Sequence, residues 1–332
     1  MNNNNTGEIF TNLRDDRCYH SSIVNGTEII LLGGDHGLLD CEWLRSDIEI
    51  VHTTPSSSGN SSARRLPDIP TNVSFHASVI NNGYLYVIGG FKCGFDPCKR
   101  RIHDRDCIIE PSKSVFRIAL DNIQSGWEEI KEMNKFRAGC AATAWGDYII
   151  VFGGEGRTID EEYNCLEILD TTALDLGWQR QRECMKGSRV SHSVVTIKDS
   201  IFIIGGRRYR DRRHKTRNFE KFNPINKTFR LCTAPPTGFA QTNAVAIGTL
   251  LVIICGSSYH PDYEDIGPSY ICDTTSSKGK WEVVHPPLHT PRRNHTTDLV
   301  GNYIYICGGK DRDDKGVCSV ERLLITDFIG SG

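Results

Sequence analysis

The chain has 332 residues, of which 24% are charged, and its 39 Lys+Arg against 41 Asp+Glu leave a formal net charge of −2. Such a balance gives no global attraction to nucleic acid or to an anionic membrane, and no apolar run approaches the roughly 20 residues needed to span a bilayer. The opening MNNNNTGEIF has neither the basic nor the apolar region of a secretory signal, so the 13 cysteines are expected to be reduced thiols in the cytoplasm or nucleus.

In chain order, the asparagine run at 1–6 lacks core-forming residues and predicts a disordered tail. Residues 7–13, GEIFTNL, read as an outer strand led by Phe10. Six variants of one unit follow, each containing an apolar run that ends in a glycine pair: EIILLGG, YLYVIGG, YIIVFGG, IFIIGG, LLVIICG and YIYICGG. Their markers are Gly33, Gly89, Gly153, Gly205, Cys255 and Gly308, at intervals of 56, 64, 52, 50 and 53 residues. Thirteen residues before each marker stand His20, His76, Cys140, His192, Thr242 and His295; sixteen before stand Arg17, Val73, Arg137, Arg189, Phe239 and Arg292.

Within each unit, Asn25-Gly26, Asn82-Gly83, Gly146-Asp147 or Gly301-Asn302 marks a hairpin into the apolar run. That run suits a strand covered on both faces, and the glycines suit a backbone that needs positive φ and room. A third apolar run (SVFRIAL, CLEILD, SVERLLI) and an aromatic-led fourth, at Trp127, Trp178, Phe229 and Trp281, complete the unit. Four short strands repeated radially make a propeller blade. The expected fold is therefore all-β, a single six-bladed β-propeller of four-stranded antiparallel blades over 7–329. Only 23 residues follow Gly309, enough for a third strand but not a fourth, so residues 7–13 are expected to complete the last blade and close the ring. Residues 330–332 are a short tail.

The double glycine followed some twenty-odd residues later by tryptophan resembles the kelch repeat, over nearly the whole chain. That resemblance implies a protein-interaction scaffold that binds on the loop face, as ubiquitin-ligase adaptors with kelch propellers capture peptides. No BTB or F-box segment is recognisable, so an adaptor role would need another protein. The recurring histidines then read as packing residues. Enzymes of this fold offer an alternative, a small-molecule site at the axial pocket, but their patterns do not match: no glutamate is followed by aspartate at +4, as an E-x3-D-x3-H iron site requires. GGEGRTID also lacks the lysine of a phosphate loop. The expectation is a non-enzyme without a cofactor.

One metal pattern stands out. Cys93, Cys98, His103 and Cys107 are spaced C-x4-C-x4-H-x3-C in the longest loop, which would suit a structural zinc. The loops after the glycine pairs and those entering each first strand share one face, and they gather the candidate partner-binding residues: Arg17, Arg137, Arg157, Arg189, Arg207, Arg208, Arg210, Arg212, Arg213, Arg292 and Lys310. Arginine pairs carboxylates in bidentate geometry, so the expected partner is a protein or acidic peptide bound by a monomeric platform. Nucleic acid binding through Arg207–Arg217 is the weaker alternative, recognisable by a steep salt dependence.

Overall fold

The apolar run of each unit becomes the second strand of a small antiparallel sheet, buried on both sides by the sheets beside it. In Glu28–Leu32, Tyr84–Ile88, Tyr148–Phe152, Ser200–Ile204, Leu250–Ile253 and Tyr303–Cys307 every residue after the first is buried. The computed structural model describes residues 8–36, 43–54, 65–95, 107–158, 161, 163–182, 184–208, 215–241, 243–254, 256–259, 264–275, 279–284 and 288–326. Tail residues 1–6 and 330–332, the marker Cys255 and the candidates Cys98, His103, Arg210, Arg212 and Arg213 lie outside them.

Blade 1 comprises Ser21–Asn25, Glu28–Leu32 and Ile48–His52, three strands among the described residues. Blades 2 to 5 have four each, starting at Ala77–Asn81, Ala141–Trp145, Ser193–Ile197 and Ala244–Ile247. Blade 6 joins Thr296–Val300, Tyr303–Cys307 and Ser319–Leu324 to Glu8–Asn12, which runs antiparallel along the last of these with Glu8 opposite Arg322 and Asn12 opposite Ser319. Phe10 there meets Tyr305 edge to face at 5.3 Å, beneath the Arg322 guanidinium. The six first strands neighbour one another in a circuit that returns from blade 6 to blade 1.

Six apolar clusters lie between successive blades. One holds Tyr86 and Ile88 of blade 2 against Ile149 and Val151 of blade 3; another holds Tyr305 and Cys307 of blade 6 against Ile29 and Leu31 of blade 1. Three indoles tie the outer edges together, Trp127 Nε1 donating to Pro67 O, Trp178 to Lys131 O and Trp281 to Thr233 O, at 2.7–3.0 Å.

The glycine pairs have a more specific cause than room for the departing chain: the obstacle is the next blade. The second glycine's N–H donates to a carbonyl of the following blade, Gly34 to Val73, Gly90 to Arg137, Gly154 to Arg189, Gly206 to Phe239 and Gly309 to Arg17, at 2.8–3.0 Å. A Cβ on the first glycine would strike that same carbonyl, at 2.5 Å for Gly205 against Phe239 O. Where Cys255 holds the first position instead, the Gly256 N–H still donates to Arg292 O of the next blade, at a longer 3.3 Å, so glycine there permits the closer approach.

Candidate functional site

On the face carrying the loops after the glycine pairs, the axis narrows to a ring of six residues, each standing just before the recurring histidine position. Their amides hydrogen-bond head to tail around the axis: Phe75 N–H donates to Tyr19 O, Gly139 to Phe75, Ser191 to Gly139, Gln241 to Ser191, Asn294 to Gln241 and Tyr19 to Asn294, at 2.8–3.3 Å. Closing the circle forces all six into the left-handed region, with φ between 53° and 62°. For five non-glycine residues that is strained backbone, held because each amide and carbonyl is satisfied only inside the ring. Sequence reading missed this ring, since its members share no residue type.

The ring floors a mouth of about 100 Å³. Tyr19 and Phe75 stack at 4.0 Å on one side, backed by Phe91 at 5.6 Å. Across from them are Ser191, Gln241 and Asn294. Asn294 is 6% exposed, and among the described residues neither its Oδ1 nor its Nδ2 has a hydrogen-bond partner; Gln241 Oε1 has none either. The histidines sit directly beneath, neutral because burial depresses them: His76, His192 and His295 to about 3, and His20 well below its ordinary value. His20 Nε2 contacts Thr296 Oγ1 at 3.1 Å, and Ser21 Oγ contacts His76 Nε2 at 2.7 Å, each a link between neighbouring blades.

Basic groups rim the mouth. Burial raises the Tyr19 phenol, with the Cys18 and Asp35 charges adding to it, while Arg207 and Arg293 oppose the rise. Lys310 Nζ stands 5.9 Å from the Tyr19 ring and pairs with Asp314 at 3.2 Å; Arg293 pairs with the same carboxylate at 2.8 Å. Arg207 is half-buried, its Nε donates no hydrogen bond, and its guanidinium has no ion-pair partner among the described residues. Arg208 beside it is exposed.

Four of the expected binding residues require correction. Arg17, Arg137, Arg189 and Arg292 are 0–1% exposed and cannot meet a partner. Each turns inward, donates to the carbonyl of its own blade's first glycine (Gly33, Gly153, Gly205, Gly308), and pairs with a glutamate on the third strand: Glu49, Glu167, Glu220 and Glu321. Desolvating a guanidinium is costly, so these sites exist only with the paired carboxylate in place. Arg157 is exposed but already engaged, with Glu110 at 3.0 Å and over the Phe136 ring at 3.9 Å. Of the metal candidates, Cys93 lies on Phe91–Phe95, paired with Cys107–Pro111. The structure thus brings Arg207 and Lys310 near Tyr19 at the mouth with Arg293, places exposed Arg208 toward Gly187, and withdraws the four loop arginines.

The mouth is smaller than the roughly 300–1,000 Å³ of small-molecule pockets, and fits a side chain better than a cofactor. The Asn294 Nδ2 donor and the Arg207 guanidinium suit a carboxylate, and the stacked rings suit the adjoining apolar carbons.

The KLHDC2/KLHL20/DRC7 Kelch-repeats domain model matches residues 119–328. No curated protein matches the chain. A solved structure titled "Structure of YjhT" is similar with a TM-score of 0.76 at 13% identity, covering 96% of this chain and 98% of that one. At that identity the likeness is one of fold.

Proposed function

The chain belongs to the KLHDC2/KLHL20/DRC7 Kelch-repeats domain family, and from that premise we propose that it is a protein-interaction platform whose axial mouth receives an acidic segment of a partner protein. Kelch-repeat propellers commonly mediate protein–protein interaction, and the observation that points to this mouth is a pair of donors: Arg207, a guanidinium near Tyr19 without an ion-pair partner among the described residues, and Asn294 Nδ2, a buried amide donor without a hydrogen-bond partner among them. Buried donors left unpaired cost free energy that a bound carboxylate would recover. The rigid ring limits the ordering cost of binding. Cys18, Cys140, Cys165, Cys272 and Cys307 are buried free thiols, which supports placing the chain in the cytoplasm or nucleus. No cofactor belongs to this proposal. Zinc on Cys93, Cys98, His103 and Cys107 is the alternative, and stoichiometric zinc in purified protein, lost in Cys93→Ser, would replace the cofactor-free reading.

The test is fluorescence anisotropy with a labelled Asp/Glu-rich peptide against the native chain and Arg207→Glu/Arg208→Glu. The native chain should bind and the double variant should lose about tenfold or more. Equal binding by both would remove the mouth from the proposal, and absence of binding by the native chain would remove the acidic segment.

A small-molecule reading has one observation in its favour, the axial cavity beneath the ring, where a single carboxyl is held away from its ordinary state.

A further inference from the structure

Below the amide ring the first strands enclose an axial cavity of about 610 Å³. The ring closes it toward the mouth. At the other end half-buried Val24, Ile80, Ala144 and Leu299 line it, so it is reached from the opposite face. Ten residues before each marker the blades carry Ile23, Val79, Thr143, Val195 and Val245, and the sixth breaks the pattern with Asp298. Asp298 is 8% exposed, and its Oδ2 accepts a 2.6 Å hydrogen bond from Ser22 Oγ across the junction of blades 6 and 1. No cation pairs with it among the described residues, and burial pushes the carboxyl up to about 6, against the effect of Ser22.

The same cavity holds polar groups that no described residue satisfies. Among the described residues nothing hydrogen-bonds Thr297 Oγ1, on the opposite face of the strand from Asp298, or either ring nitrogen of His192; the two residues are 4% and 5% exposed. A carboxylate in such surroundings needs a counter-charge or takes a proton. We infer that the axial cavity binds a small primary amine as its ammonium ion, with Asp298 as counter-ion and the Ser22 hydroxyl as a further acceptor.

The ammonium's N–H donors match the two oxygens of the carboxylate and the Ser22 hydroxyl, and neutral His192 does not repel the charge. A short alkyl chain would run past Val24, Ala144 and Leu299 toward the opening. A metal ion fits less well: hard cations take six or more oxygen ligands, and no three His, Cys, Asp or Glu side chains stand together to hold one among the described residues. The inference is independent of the partner-binding mouth, because the amide ring lies between the two sites.

The experiment is calorimetric titration of the full chain at pH 7.5 with n-butylammonium chloride. n-Butanol, tetramethylammonium chloride and sodium chloride serve as probes lacking, in turn, the charge, the N–H donors and the amine. Saturable binding of butylammonium is expected, about tenfold or more weaker in Asp298→Asn, with the other three probes weak. Asp298→Asn should fold, since it removes a buried charge. Ser22→Ala removes the neighbouring hydroxyl and should bind about three- to tenfold more weakly. No saturable binding up to about 10 mM, unchanged affinity in both variants, or equal binding of tetramethylammonium or sodium would overturn the inference.

Discussion

The buried ion pair of Arg189 and Glu220 offers a test in which the protein supplies its own control. Arg189 is 1% exposed and Glu220 2%; the guanidinium also donates to Gly205 O at 3.4 Å and Asn218 O at 3.2 Å, and Glu220 Oε2 accepts from Lys186 N–H at 2.9 Å. Arg189→Ala or Glu220→Ala leaves an uncompensated buried charge, which costs about 3–5 kcal/mol. With an unfolding entropy of about 2.1 cal/mol/K per residue over 332 residues, that loss lowers the melting temperature by about 4–7 °C. Blade 5 carries Phe239 and Tyr270 at the equivalent positions, their rings stacked with centroids 6.1 Å apart. Arg189→Phe/Glu220→Tyr should therefore return most of the loss, to within about 1–2 °C of the native chain, because an apolar pair replaces a buried ion pair at little net cost. Thermal unfolding followed by circular dichroism reads all four proteins. If either single variant melts within about 1 °C of native, or the double variant is no better than the worse single one, the arginine is not held by the carboxylate as argued.

Three further outcomes follow from the same frame. Gly205→Ala should cost about 3 kcal/mol or more by pushing Phe239 O away and breaking the bond from Gly206, whereas Gly248→Ala, at φ +60° with nothing within 4 Å of its Cβ, should cost only about 1–2 kcal/mol of backbone strain; equal denaturant midpoints would refute the blade-to-blade role of the pair. His20, His76, His192 and His295 are depressed by burial while the unfolded chain titrates near 6.5, so the unfolded state binds more protons and stability should fall as the pH drops from about 6.5 toward about 3; denaturant midpoints at pH 7, 6, 5 and 4 that stay flat or rise would contradict it. Removing residues 1–13 bares the edge of Ser319–Leu324 and uncovers the cluster containing Leu13; a truncated chain melting within about 2 °C of native would show that the strand at Glu8–Asn12 contributes little.

The all-β repeat was legible because each apolar run needs burial on both faces, and burial of that kind repeats with the blade. The roles of the loop arginines were not legible in the same way. A charged residue between two turns reads as exposed, and its partner lies 29 to 32 residues further on. Yet the signal was present. In the four blades that carry the arginine, glutamate stands opposite the residue two before the marker; in blades 2 and 5, where Val73 and Phe239 replace arginine, Phe116 and Tyr270 occupy that position. Comparing units with one another, rather than each with a general pattern, reveals the pair. The amide ring gave no such signal, because backbone closure imposes its left-handed conformation on tyrosine, phenylalanine, serine, glutamine and asparagine alike.

Positions that repeat around the axis carry structure, and the departures from repetition are where function should be sought. Asp298 is the sharpest departure, and its cost can be measured. A carboxyl raised from its ordinary 3.8 to about 6 is disfavoured as an anion by about 3 kcal/mol. Asp298→Val installs the residue that blades 2, 4 and 5 use, and removes that penalty at the expense of the acceptor for Ser22 Oγ, worth about 1 kcal/mol. At pH 7.5 the variant should therefore be more stable than native by about 1–2 kcal/mol, or roughly 1–3 °C in melting temperature. The native group's folded-state value is raised, so its protonated form favours folding below about 4 and that advantage fades as the pH rises through about 6. The variant's gain should accordingly shrink at pH 5, where the native carboxyl is largely protonated. A variant less stable than native at both pH values would mean that Asp298 holds the junction of blades 6 and 1 together, and that its departure from the pattern serves the fold and not a ligand.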